Sequence, residues 1–241
     1  MFDPRGPTFF ELADQALSST TKGYDMLAPK FEYTPFRTPD EVLEEVADAI
    51  GPPGSIEWAL DLCCGTGAAM RMLRPKCTEG ITGVDLSQGM LDEAELQLEM
   101  APGQAEIQLL QGDILELEYE RQFDVVTTFG AFGHILHHQQ ECFAKRVWTA
   151  LRPGGRFIFV TAPMPSILSP RWWVSRSFNA LMHIRNALVD PPFIMFYLTF
   201  TLERARKVLE KKGFEIDVRA PFAGSDFEVL RLLIATKPDG K

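Results

Sequence analysis

Basic charge is in short supply. The 24 Lys and Arg residues face 33 Asp and Glu, for a net charge of −9, and a chain without a basic excess is a poor match for a phosphate backbone. Nucleic acid is therefore not expected as a partner. Long apolar runs are also missing. The longest, Phe193 to Phe200, falls well short of the roughly 18 residues that a membrane span needs. The opening Met1-Phe2-Asp3-Pro4-Arg5-Gly6-Pro7 has neither the basic nor the apolar stretch of a secretory leader, so a cytoplasmic chain is expected. Cysteine is scarce, with four in 241 residues, too few for a disulfide framework. Cys63 adjoins Cys64, and Cys77 and Cys142 stand apart. That spacing suits no zinc site, and adjacent cysteines seldom bridge each other. No metal is expected. There is no internal repeat and no low-complexity tract. What remains, 46% hydrophobic and 24% charged, can bury one sizeable core, as one domain with an elaboration.

The residues present alternate in character. After an arm over residues 1–37, rich in Thr, Pro and aromatics and read as irregular with one or two short helices, Thr38-Pro39-Asp40-Glu41 opens a helix that Gly51-Pro52-Pro53-Gly54 stops. Strands are then predicted at 58–63, 80–85, 106–111, 123–128 and 156–161, and helices at 68–73, 88–100 and 139–151. This alternation predicts an α/β fold with a parallel sheet covered on both faces. A helix over 201–212 precedes two strands joined by a short Pro/Gly loop, read as an antiparallel hairpin at the sheet's edge. Between Thr161 and Thr201 the alternation stops, and a Pro-punctuated, aromatic-rich segment is expected to be irregular.

The stretch Asp61-Leu62-Cys63-Cys64-Gly65-Thr66-Gly67 joins a predicted strand directly to a predicted helix. Glycines permit a tight turn and a close ligand, and the helix start offers free N–H groups. A dinucleotide fingerprint would need Gly or Ala at position 70; Met70 stands there instead, which argues against a nicotinamide or flavin dinucleotide. The next strand ends in Gly83-Val84-Asp85-Leu86-Ser87, placing an acid where it can accept from both hydroxyls of a ribose. The following strand ends in Gln111-Gly112-Asp113-Ile114, a second acid at the same sheet edge.

These pieces, together with Phe123-Asp124-Val125-Val126 and Leu151-Arg152-Pro153-Gly154-Gly155, resemble the class I S-adenosylmethionine-dependent methyltransferases. The resemblance covers roughly residues 55–160 by motif and 201–236 by pattern. It implies a Rossmann-like, doubly wound sheet of seven strands, mostly parallel with an antiparallel last strand. It further implies an N-terminal helical arm over residues 1–50, a methyltransferase domain over 51–241, and a helical lid inserted at about 162–200. S-adenosylmethionine is the implied cofactor. Carried over residue by residue, Asp61 lies near its amino group, and the backbone at Cys64, Gly65 and Gly67 lies along its methionine part. Asp85 takes the ribose hydroxyls, and Leu86 and Met90 lie beside the adenine. Asp113 accepts from the adenine amino group, Ile114 covers the ring, and Phe129 and Gly130 line the methyl-donor end. Tyr24 matches an N-terminal tyrosine over the site. A bulky residue at Gly67 is expected to abolish donor binding and leave the fold intact.

Methyl transfer from a sulfonium needs alignment and a dry pocket, and an oxygen or nitrogen acceptor also needs a base. His134, His137 and His138 follow the fourth strand, and His134 is the candidate general base, opposed by a solvent-facing or capping role. Asp124, inside a strand, reads as structural. Ser166 to Phe200 holds seven aromatics, three arginines and one acid, Asp190. Such a segment fits a small apolar or aromatic acceptor, a lipid interface, or simple packing as a cap or dimer contact. The expected activity is methylation of a small hydrophobic molecule, with oxygen favoured over nitrogen or carbon, by a monomer or homodimer. A protein methyltransferase and a non-catalytic S-adenosylmethionine-binding protein are the rival readings.

Overall fold

The glycine turn proposed from sequence divides a strand from a helix at the position expected. The computed structural model describes residues 3–240; Met1, Phe2 and Lys241, the extremes of the proposed arm and domain, lie outside the described residues. The strands are β1 (Ile56–Leu62), β2 (Cys77–Asp85), β3 (Glu106–Gln111), β4 (Phe123–Thr128), β5 (Leu151–Thr161), β6 (Glu215–Arg219) and β7 (Arg231–Thr236). They form one sheet in the order β3-β2-β1-β4-β5-β7-β6. β1 to β5 run parallel, and β7 lies antiparallel between β5 and β6. This is the doubly wound, Rossmann-like architecture with an antiparallel last strand.

Helices cover both faces. α3 (Asp40–Ile50), α4 (Ala68–Leu73) and α5 (Gln88–Leu98) lie over one, and α6 (Gln140–Ala150) and α8 (Leu202–Lys212) over the other. The cores match: Val46, Met70, Leu73, Leu91 and Ile81 pack on the first face, and Phe143, Val147, Leu209, Phe157 and Phe159 on the second. Central strands buried on both faces favour continuous apolar runs: β5 has Phe157-Ile158-Phe159-Val160, and β4 buries Thr127 and Thr128 beside Val125 and Val126. Met70 explains the missing third glycine. A Cβ on Gly83 of β2 would lie within 2.9 Å of the Met70 Sδ and Cε atoms, so the glycine that lets helix and strand approach sits on the strand.

Among the boundaries that differ from the predicted ones, two do so for visible local reasons. β5 starts at Leu151, which pairs with Phe123, before the Arg152-Pro153-Gly154-Gly155 irregularity and the resumed pairing of Arg156 with Val125. β1 starts at Ile56 because Asp124 accepts from both Glu57 N and Trp58 N at 2.8 Å. Those N–H groups precede the point where β4 pairs with Ala59. Asp124 also meets Arg152 at 3.1 Å, so its role in the sheet is structural, as expected.

The segment expected to be irregular contains α7 (Pro170–Leu188), 19 residues long. Its prolines fall at the first helical position and beyond the last, where they do not interrupt the helix. The ladder needs no alternating apolar pattern for this, and no described helix is long and apolar enough to cross a membrane. The N-terminal arm holds α1 (Phe9–Leu17), α2 (Thr20–Leu27) and a 3-10 turn, Ala28–Tyr33. Buried Arg185 of α7 joins the two segments. It donates to Ala16 O and Ser18 O of the arm, both at 2.8 Å, and to Val189 O and Pro191 O of its own loop. Ile194 N donates to Thr20 Oγ1 at 2.7 Å.

Candidate active site

Between β1 and β4 the strand order reverses, and neighbouring loops leave the sheet in opposite directions, opening a crevice at the carboxyl ends. A cavity of about 440 Å³ lies there. Its floor is the turn after β1, its sides are the ends of β2 and β4, and the arm and the Met195–Thr201 stretch complete the walls.

Three positive φ angles in five residues curl the β1–α4 turn around the cavity: Cys63 at 55°, Gly65 at 54° and Gly67 at 79°. The two glycines face different ways. A Cβ on Gly65 would meet nothing within 4 Å, whereas one on Gly67 would strike Leu98 Cδ1 at 3.1 Å and Ala94 Cβ at 3.4 Å. Asp85 binds this turn to its own helix start, since Oδ2 accepts from Gly65 N and Oδ1 from Ser87 N, both at 2.9 Å. Burial raises its carboxyl above the ordinary value, against the lowering pull of these backbone bonds. Asp61 is fully buried in β1 and accepts from Thr127 Oγ1 at 2.7 Å. Burial pushes it up to about 7, although the Thr127 bond works the other way. Its carboxyl borders the cavity. Cys63 and Cys64 also border the cavity; burial and the nearby Asp85 push both thiols well up, so they stay protonated and are poor nucleophiles.

In the same cavity, the arm meets the loop after β4. Tyr24 Oη lies 2.9 Å from His134 Nε2, and His134 Nδ1 lies 2.5 Å from Ile194 O. A carbonyl only accepts, so Nδ1 carries the proton and Nε2 accepts from the tyrosine hydroxyl. Burial lowers the His134 value and raises that of Tyr24, so both are neutral near pH 7. Tyr24 stacks on Phe193 with ring centroids 6.3 Å apart. Phe31, Phe36, Phe129, Phe196 and Tyr197 add aromatic wall.

The structure thus gathers Tyr24, Asp61, Cys64, Gly65, Asp85, Leu86, Met90, Phe129, Gly130 and His134 around one cavity. Three predicted residues are placed elsewhere. Gly67 faces α5, so a bulky side chain there would damage packing before it touched a ligand, contrary to the expectation of an intact fold. Asp113 accepts from Leu115 N at 2.8 Å in its own turn. Ile114 is buried with Leu60, Leu62 and Val84 in the core. Neither residue borders the cavity. Sequence reasoning missed two arm acids. Asp25 Oδ1 accepts from Ser87 Oγ at 2.6 Å and Gly89 N at 3.0 Å, at the start of α5. Glu32 accepts from Thr66 Oγ1 at 2.5 Å and pairs with Arg37 and Arg71. Nothing local marks either acid, because each meets its partner across a tertiary contact.

A buried acid on β1, an acid ending β2 and an unobstructed glycine between them border one crevice at the switch point of a doubly wound α/β sheet, the place where such folds bind nucleotides. Comparison with known proteins agrees. The profile of the family described as "Methyltransferase domain" matches residues 59–155. A demethylmenaquinone methyltransferase from Lactobacillus johnsonii is 31% identical over 170 residues, covering 66% of this chain and 68% of that one. Among solved structures, an O-methyltransferase family protein from Burkholderia thailandensis superposes with a TM-score of 0.70 at 15% identity, covering 97% of this chain and 69% of that one. Magnesium protoporphyrin IX methyltransferase from Synechocystis, with bound SAH, superposes at 0.58 and 20% identity, covering 82% of this chain and 81% of that one. The chain belongs to the class I S-adenosylmethionine-dependent methyltransferases, and S-adenosylmethionine is its cofactor.

Proposed function

We propose that this enzyme methylates a small apolar molecule bearing a hydroxyl group, with oxygen as the acceptor atom. One observation carries the reading: the cavity that holds the donor-type residues Asp61, Gly65 and Asp85 also contains the Tyr24–His134 pair and an aromatic wall. The likeness to a demethylmenaquinone methyltransferase supports an acceptor of apolar, ring-bearing character. A cavity of about 440 Å³ with aromatic walls favours such a molecule over a protein chain.

In this reading Asp85 receives the ribose hydroxyls, Asp61 faces the amino group, and the bare Gly65 lets the cofactor lie on the turn. Leu86 and Met90 cover the adenine; Cys64, Phe129 and Gly130 line the remainder. Asp113 and Ile114 support the edge of this site from their own turn without reaching into it, and Gly67 shapes its floor. When bound, S-adenosylmethionine supplies a methyl group on a cationic sulfur, the leaving group of an in-line displacement. Tyr24 and His134 handle the proton. The acceptor hydroxyl gives its proton to Tyr24 Oη as the tyrosine's own proton moves to His134 Nε2, and Ile194 O keeps the Nδ1 proton in place. His134 is then the ultimate base and Tyr24 its relay, a refinement of direct attack by the histidine. The arm over residues 1–50 and the insertion over 162–200 act as the lid above the domain of residues 51–241, excluding water from the transfer.

A radiolabelled-methyl assay against hydroxylated quinones and hydroxylated aromatic rings tests this reading. Label in an ether product, lost on chemical demethylation, is expected. Label confined to ring carbon, to amines or to protein overturns the oxygen assignment, and binding of donor with no transfer to any acceptor favours a non-catalytic role.

A further inference from the structure

The outer face of α7 is apolar, yet it faces solvent. Trp173 is 61% exposed, Val174 68%, Leu181 62%, Ile184 57% and Leu188 79%. At 100° per residue these five fall within one stripe along the helix. Arg176 lies on one flank of the stripe and Arg171 on the other. The inner face is apolar too, with Met182 and Phe178 packed against Phe193 and Phe196. A helix apolar on both sides has only one of them explained by the core.

Charge narrows what covers the other. From Ala162 to Val189 the sequence contains arginines and no acidic residue, in a chain whose net charge is −9. An apolar stripe flanked by arginines, with adjacent tryptophans at one end, suits the boundary of an anionic bilayer. A second copy fits poorly: self-pairing across α7 would set arginines against a helix that offers them no carboxylate.

The helix is also coupled to the cavity. Asn179 donates to Tyr197 O at 2.9 Å and accepts from Tyr197 N at 2.8 Å. His183 stacks on Phe196 with centroids 4.6 Å apart. Tyr197 and Phe196 are cavity wall, so whatever seats α7 also positions the wall of the acceptor end.

We propose that the outer face of α7 docks on an anionic lipid surface and there collects an acceptor dissolved in the bilayer. The docking itself stands on α7 alone, and the collection of acceptor rests on the apolar-acceptor reading above.

Flotation of the full chain with vesicles tests the docking without donor or acceptor, so its outcome is separate from that of the methylation assay. Phosphatidylcholine vesicles with and without phosphatidylglycerol are compared, and Trp173 emission is followed with brominated lipid. Binding to the anionic vesicles with quenching is expected. The L181E/I184E variant should lose at least tenfold in affinity, and R171E and R176E should lose on the order of fivefold each. M100E, at a residue 92% exposed at the end of α5, should bind as the parent does. Donor binding by each variant, measured by calorimetry, shows that the fold is kept. Three results overturn the proposal: no flotation with either vesicle, flotation indifferent to L181E/I184E, or a dimer in sedimentation that this variant converts to monomer without any effect of lipid.

Discussion

Asp85 Oδ2 accepts from Gly65 N at 2.9 Å, so the acid that ends β2 holds the glycine turn that follows β1. Two motifs separated by 20 residues are thereby one device, and its other carboxylate oxygen secures Ser87 N at the start of α5. Replacing Asp85 by Ala removes both braces and the proposed ribose contact. Donor affinity should fall by roughly 2–4 kcal/mol. Calorimetry with S-adenosylhomocysteine measures it, and unchanged affinity would take Asp85 out of the site.

Gly65 and Gly67 should respond differently to valine. Both have positive φ, so each substitution costs about 1–2 kcal/mol of backbone strain. Gly65→Val projects into open space and should block donor binding with a modest fall in Tm. Gly67→Val meets Leu98 and Ala94 and should add about 1–3 kcal/mol of overpacking. Thermal unfolding of the pair, set beside calorimetry, separates the two. Equal losses of Tm would contradict the placement.

Asp61 gives a proton signature. Its value of about 7 in the folded chain exceeds the 3.8 of an ordinary carboxyl. The stability tied to its proton is therefore present below 3.8 and lost as pH rises through about 7. A cationic amino group at Asp61 favours the carboxylate, so donor binding should expel a proton and weaken as pH drops below about 7. Calorimetry in buffers of different ionisation enthalpy reads the release, which Asp61→Asn should abolish. No dependence on buffer in the parent protein would separate Asp61 from the amino group.

Loss of the proton-handling pair should spare donor binding. His134→Ala and Tyr24→Phe should each lower turnover by about 10²–10⁴-fold. Because burial holds His134 below its ordinary 6.5, the acid limb of kcat should fall below 6.5, and activity should be flat above it until another group titrates. An acid limb above 6.5, or normal turnover in both variants, would leave the pair a structural role.

Arg185→Ala should loosen the arm and leave the sheet alone. It strands the carbonyls of Ala16, Ser18 and Pro191, an expected local loss of about 2–3 kcal/mol or more. Amide exchange should quicken in α1, α2 and residues 189–194, and remain slow in β1 and β4. Uniform acceleration through β1 and β4 would show that the arm is part of the global unfolding unit.

The sheet was legible in the sequence because each strand is a short apolar run ended by Gly, Pro or Asp, and each helix follows at the expected spacing. α4, β3 and β4 fall where predicted. The resemblance implied a helical lid, but the sequence pattern did not place α7 within it. Its apolar residues occupy both faces, so no single-faced period stands out, and flanking prolines read as breakers although they lie outside the helix interior. Among the cavity-lining residues, Asp61, Gly65 and Asp85 were readable from position near strand ends, where topology alone brings them to one crevice. Gly67, Asp113 and Ile114 do not line the cavity, and motif position alone does not say which residues of a turn border it.

The strands, the glycine turn and the acids near the strand ends were written in local sequence, since residues at the carboxyl ends of adjacent parallel strands become neighbours whenever the sheet forms. The acceptor end was decided by tertiary structure alone. Tyr24 meets His134 across 110 residues, and His134 meets Ile194 across 60. No short-range pattern encodes such meetings, because they depend on how the arm and the insertion pack, and apolar burial is non-directional until the full shape of the core selects one arrangement.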